Sequence, residues 1–250
     1  PWGTGFPGWH IECSAMSLKH LGTKLDIHAG GADHVQIHHT NEIAQSETAS
    51  GKPFSRFWMH AAFLTIKGEK MAKSSPEANI TLAVLRDRGF DPLDFRFLTL
   101  GTHYRKPLSF SWEALAAART ARLKLMSTYS SLPAKSVTGD TAFKKIILKA
   151  ANDDLNTPQI LAAVWNAVNK KTISRAALVW ADQILGLDIK QRAQEKPPDL
   201  SINVKDLIAL REKARTEKNW SKADEIRQKI KDLGWDVEDT SQGPQIRKNS

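Results

Sequence analysis

The sequence predicts an α/β unit followed by an all-α segment, and three observations carry that prediction. Strand-like apolar runs alternate with a helical stretch over residues 1–80, the pattern of a parallel sheet with helices on its faces. From Leu82 onward the apolar residues change to helical spacing. Two helix-start signals, Ser111-Trp112-Glu113 and Asn156-Thr157-Pro158, then open long amphipathic segments.

Taken in order, Leu25–Gly31 reads as a short buried strand ending in a glycine turn, and a helix runs from about Asp33 through Ala49. Phe57–Ile66 is rich in apolar and aromatic residues and reads as one or two strands, with Lys67-Gly68-Glu69 turning into a lysine-serine loop. Leu82, Leu85, Phe97, Leu98 and Leu100 form a helical pattern broken near Asp91-Pro92. Ser111 caps a helix through Leu125, and the Asn156 side chain caps a helix with proline at its first position. Residues 143–185 read as two further helices of a bundle, and Gln191–Ser201, with Pro197-Pro198, as a linker. Val204–Glu217 and Ser221–Leu233 form a helical hairpin with Trp220 at its corner, and Gly234–Asp239 turns into a terminal strand. The predicted units are 1–80, 81–110 (a connecting helical segment), 111–196 (a helical bundle) and 201–250.

Composition narrows the class. The 41% hydrophobic and 25% charged content is that of an ordinary globular protein with length enough for a buried core. A single cysteine excludes an internal disulfide framework, so a cytoplasmic setting is expected. No apolar run reaches the roughly 18 residues of a membrane span, so no membrane partner is expected. The net charge of +9 is unevenly spread: basic and acidic residues balance over 1–100, whereas 101–204 hold 15 basic against 8 acidic. A basic surface away from a chemical site fits a polyanion such as RNA, and equally a solvated surface without a partner.

Seven of the eight histidines lie within residues 1–60, near the lone Cys13 and Glu42. Thiolate, imidazole and carboxylate are zinc ligands, and helix residues four apart share a face. His38 and Glu42 have that spacing and Cys13 could approach from another segment, but His34 and His39 compete for the same place. In Glu69-Lys70-Met71-Ala72-Lys73-Ser74-Ser75, two lysines three apart beside small hydroxyl residues can neutralise a triphosphate and a pyrophosphate leaving group.

The combination resembles the cysteinyl-tRNA synthetases, class I aminoacyl-tRNA synthetases. The matching motifs are Gly8–Met16, Asp26–Asp33, His38–Ser46, the Lys70–Ser74 loop, Asp153–Pro158 and Trp220–Arg227, in the family's order. The resemblance implies the second half of a class I Rossmann-like catalytic domain, a tRNA-binding helical bundle and a small carboxy-terminal anticodon-end domain. It implies ATP-dependent activation of L-cysteine to cysteinyl-adenylate, with magnesium, followed by transfer to tRNA(Cys). It implies one zinc ion on Cys13, His38 and Glu42, selecting the substrate thiolate over a serine hydroxyl. Trp9 and His28 would line the cysteine pocket. Gly30, Gly31 and Asp33 would lie near the adenosine, and Lys70 and Lys73 would act on the ATP phosphates.

The sequence departs from the family pattern at Ala72, where a serine is usual, at Thr40, at Gln36-Ile37 and at Pro244-Gln245-Ile246. The family's amino-terminal motifs, including a fourth zinc ligand, are not in these residues. The chain is therefore expected to be the carboxy-terminal part of the enzyme, inactive without its missing half. Two other readings are an ATP-dependent ligase joining cysteine to an amino sugar, which needs no anticodon module, and a non-catalytic RNA-binding fragment.

Overall fold

The computed structural model describes residues 3–66, 69–70, 80–194, 202–240 and 243–248. Helix α1 (His10–His20) leads to strand β1 (Leu25–Gly31), a 3-10 turn (Ala32–His34), a π turn (Val35–His39), helix α2 (Thr40–Ser50) and strand β2 (Ser55–Ala61). The two strands pair in parallel, Leu25 opposite Ser55 and Gly31 opposite Ala61, so α2 is the crossover of a β-α-β unit. Ser14 of α1 donates to Gln45 of α2 at 2.8 Å, and the Glu47 carboxylate accepts the Phe54 backbone N–H at 3.0 Å. Gly51 ends α2 in the left-handed region, its N–H donating to Glu47 O. Of the expected half sheet, these two parallel strands are what the described residues contain.

The helix predicted from Asp33 begins as tighter 3-10 winding and then a wider π turn, and is regular only from Thr40. His38 and His39, at the end of the π turn, are both buried, at 5% and 3% exposure.

A second sheet has strand order β4-β3-β5, formed by β3 (Leu64–Ile66), β4 (Glu69–Lys70) and β5 (Leu108–Phe110). Segment 81–110 thus differs from the helical connection predicted for it. It holds α3 (Leu82–Asp87) and α4 (Pro92–Leu100), but ends in β5, which pairs in parallel with β3. Three residues are too few for a period-2 signal. The Thr81 side chain caps α3, and Asp91 with Asp94 forms a capping box on α4 around Pro92. Leu85, Phe110 and Leu115 form the core here.

The bundle comprises α5 (Trp112–Tyr129), α6 (Gly139–Asn152), α7 (Thr157–Asn169), α8 (Arg175–Leu185) and α9 (Ile189–Gln194). Ser111, Asn156 and Ser174 cap α5, α7 and α8, each accepting from a backbone N–H three residues on. Leu125, Ile147, Ile160, Val164, Leu178 and Leu187 are wholly buried in one cluster, each burial contributing roughly 1.5–3 kcal/mol. Three helices, not two, span 139–185. The break between α7 and α8 carries neither glycine nor proline, and Lys171 makes the turn at φ 53. Glycine sits instead at position 139, where a Cβ would collide with the Thr172 carbonyl oxygen. Helix α9 takes residues 191–194 of the predicted linker, and 195–201 lie outside the described residues.

At the carboxy-terminal end, α10 (Ile202–Thr216) and α11 (Trp220–Asp232) pack on an antiparallel hairpin of β6 (Trp235–Thr240) and β7 (Gly243–Lys248). Val204, Ile226, Ile230 and Val237 are its core. Arg211, buried, clamps Asp239 with two hydrogen bonds of 2.8 Å. The predicted terminal strand therefore has a partner, β7, whose Gly243-Pro244 start carries no strand signature. Among the described residues, no helix is long and apolar enough to cross a membrane.

Candidate metal and nucleotide site

Helix α1 presents Cys13, the π turn His38, and α2 Glu42, and donor atoms of the three lie within 4.8 Å of one another. Glu42 is fully buried. Its Oε2 accepts from His28 Nε2 at 2.9 Å, and His38 Nε2 and His39 Nε2 stand 3.6 and 3.8 Å from the same oxygen. Its Oε1 has no hydrogen-bond partner among the described residues. A second grouping, His28, His39 and Glu42, shares the carboxylate.

The spacing ambiguity between His38 and His39 has a geometric basis, since both direct Nε2 at Glu42 while Nδ1 is held by another imidazole. His38 Nδ1 lies 3.0 Å from His10 Nδ1, and His39 Nδ1 lies 2.7 Å from His60 Nε2. Only His38 is grouped with Cys13. Burial disfavours the imidazolium, so His38 and His60 titrate below the ordinary histidine value, and burial with the neighbouring imidazoles takes His39 down to about 4. Burial, Glu42 and Glu12 push the Cys13 thiol up.

Trp9 is half exposed and stacks on the His38 ring, with centroids 3.8 Å apart and planes 23° apart. His28 lies between Glu42 and the Trp58 ring, 4.8 Å away. Gly30 and Gly31 stand in β1, not in a glycine turn, and neither has positive φ. Close approach is what excludes side chains here. A Cβ on Gly30 would come within 2.6 Å of His39 and 2.9 Å of His34, and one on Gly31 within 2.5 Å of Asp33. Beside Gly30 opens a mostly apolar cavity of ≈ 470 Å³, walled by Ala29, Met59, Phe63, Phe95, Leu100 and Tyr104. Lys70 belongs to β4, with its side chain outside the description, and Lys73 and Ala72 lie outside the described residues.

The sequence alone assigns no role to His10 or His60, and His39 enters only as a competitor of His38. The pairing register sets Gly30 opposite His60, so the strand pairing brings that imidazole towards the cluster. No spacing rule within one segment reveals this, because the partner strand begins 24 residues after β1 ends.

The donor set fits zinc. Sulfur, nitrogen and oxygen donors converge, and the buried Oε1 without a partner is a polar atom that a cation would satisfy.

Residues 1–120 match the family model described as the tRNA synthetases class I (C) catalytic domain, and 197–247 match the cysteinyl-tRNA ligase anticodon binding domain. These two matches place the chain among the class I aminoacyl-tRNA synthetases. Curated relatives include cysteine–tRNA ligase 1 of Burkholderia lata, 43% identical over 98% of this chain and 53% of its own length. The Chlamydia caviae and Thermus thermophilus cysteine–tRNA ligases are 40% and 39% identical, each over 99% of this chain and 56% of their own. The chain belongs to the cysteinyl-tRNA synthetase family, and it spans about half the length of these relatives.

Proposed function

We propose that this chain supplies the thiol-selecting and part of the nucleotide-binding machinery of a cysteine–tRNA ligase, which activates cysteine with ATP and transfers it to tRNA(Cys). The observation that carries the reading is the buried Glu42 carboxylate, with one oxygen unsatisfied, within 4.8 Å of Cys13 and His38 donors. These three residues would hold zinc. When bound, the metal supplies a soft acid that takes a thiolate in preference to a hydroxyl.

The remaining roles follow from the chain's own groups. His28 donates to Glu42 Oε2 and so fixes the orientation of the carboxylate that would hold the metal. Trp9 covers one face of His38 and walls the substrate side. Gly30 and Gly31 leave room for His34, His39 and Asp33 to close on the end of β1, and the cavity beside Gly30 is the space proposed for an adenosine near Asp33. Lys70 and Lys73 would neutralise the phosphates, with magnesium, as pyrophosphate leaves. Residues 1–80 form the second half of a Rossmann-like catalytic domain in this reading, 81–110 a connection, 111–196 the tRNA-facing bundle and 201–250 the anticodon-end module. The cytoplasm is the compartment that suits this reaction.

The isolated 250 residues are proposed to be incompetent in adenylation, a reading supported by the two-stranded parallel sheet and the three clustered donors found among the described residues. Cysteine-dependent exchange of pyrophosphate into ATP, with serine as control, tests this. Exchange is expected only when the segment corresponding to the remaining half of the relatives is supplied. Exchange by the chain alone overturns the incompetence, and none with the restored half overturns the synthetase reading. Restored exchange without transfer to tRNA would favour the amino-sugar ligase.

A further inference from the structure

An imidazole that binds a metal through one nitrogen must carry its proton on the other, and the partner of that second nitrogen decides the tautomer. His38 Nε2 faces Glu42 at 3.6 Å, and His38 Nδ1 is 3.0 Å from His10 Nδ1. Two ring nitrogens at that distance share one proton, so one donates and the other accepts. We infer that His10 is a positioning residue: its Nδ1 accepts from His38 Nδ1–H and thereby keeps His38 Nε2 deprotonated for the metal.

The inference rests on the zinc reading above but uses residues that reading leaves idle. His10 opens α1, three residues before Cys13, so one turn of helix carries both a ligand and the group that orients a second ligand. Its ring can fold back only because residue 8 is glycine. A Cβ there would lie 2.7 Å from His10 Cδ2 and 2.8 Å from Nε2. Trp9 between them stacks on His38. The tripeptide Gly8-Trp9-His10 thus makes room for, covers and hydrogen-bonds around a single ligand. His39 has an analogous Nδ1 partner in His60, but it is not grouped with the thiol.

The test is zinc affinity of the 250-residue chain, measured by competition with a chromophoric chelator, for the wild type, His10→Phe and His10→Asn. Asparagine places an acceptor oxygen near the position of Nδ1, whereas phenylalanine keeps the ring shape and removes the acceptor. Loss of the outer partner is expected to weaken zinc binding roughly 10- to 100-fold in His10→Phe. His10→Asn should recover most of that loss. Proton–nitrogen correlation spectra of the wild type should report His38 as the Nδ1–H tautomer. Equal zinc affinity in the wild type and His10→Phe, failure of the asparagine to recover it, or an Nε2–H tautomer at His38 overturns the positioning role alone. Absence of competitive zinc binding by the wild type overturns the zinc reading and this inference with it.

Discussion

His28 Nε2 donates a 2.9 Å hydrogen bond to Glu42 Oε2, while the other carboxylate oxygen, equally buried, has no partner among the described residues. An unsatisfied buried acceptor costs about 1–3 kcal/mol, a cost that a bound cation would remove. Glu42→Gln should therefore leave the metal-free chain at least as stable as the wild type, since an amide keeps the acceptor for His28 and discards the charge. Added zinc should separate the two. At 100 times its dissociation constant it should stabilise the wild type by about 2.7 kcal/mol and the variant hardly at all. Urea unfolding with and without zinc measures both, and an equal gain in the variant would remove Glu42 from the ligand set.

Gly30 gives a second prediction. A methyl group there meets the His39 ring at 2.6 Å, and His39 is pinned to His60 at 2.7 Å. Gly30→Ala should cost about 1–3 kcal/mol, the range for forcing extra volume into a packed site. In Gly30→Ala/His39→Ala the cost should be less than the sum of the two single changes. Gly5, with nothing within 4 Å of its virtual Cβ, is the control position. Additive costs in the cycle would show that the glycine does not serve the histidine.

These two sites show what the sequence makes legible. That Cys13, Glu42 and one of the neighbouring histidines come together was readable, because ligand chemistry restricts residue types, but spacing alone left His34 and His39 beside His38 and only the resemblance chose among them. The π turn was not readable, because no local residue pattern distinguishes the winding of Val35–His39 from that of a regular helix. The glycines were readable, but the turn expected at them is a strand end whose close neighbours are residues 33, 34 and 39. Helix starts at Ser111 and Asn156 were legible because capping is local. Strands β5 and β7 were not, since short strands are defined by the partners they meet.

Arg122 and Asp94, both buried, join α5 to α4 through a 2.7 Å bond, and Asp94 also accepts the Asp91 backbone N–H at 2.9 Å. Asp94→Ala strands a buried guanidinium and removes part of a cap, and should cost about 3–5 kcal/mol. Arg122→Leu should cost less, because Asp94 keeps its backbone partner. The double variant should fall short of the sum. Denaturant midpoints of the three variants test the ranking, which a cheaper Asp94→Ala would reverse.

Asp154 closes the α6–α7 turn at φ 51 and reaches across to the cavity wall. It accepts from Arg105 Nε at 2.5 Å and from the Tyr104 hydroxyl at 2.6 Å. The Arg105 and Tyr104 hydrogen bonds hold its carboxyl down to about 2, below the ordinary 3.8. Because the folded value is the lower one, the unfolded chain binds more protons between the two, and stability falls as pH drops through that window. The contribution is fully present above the unfolded value and lost towards pH 2. Asp154→Asn is the fitting comparison, since asparagine tolerates the left-handed backbone and, like a protonated carboxyl, lacks the charge and one of the two accepting oxygens. The stability difference between wild type and variant should be constant from neutral pH to about pH 5, shrink below about pH 4 and vanish near pH 2. Being exposed, the pair should also weaken in molar salt. A difference that persists undiminished at pH 2 would mean that the carboxylate charge is not what ties the turn to the cavity wall.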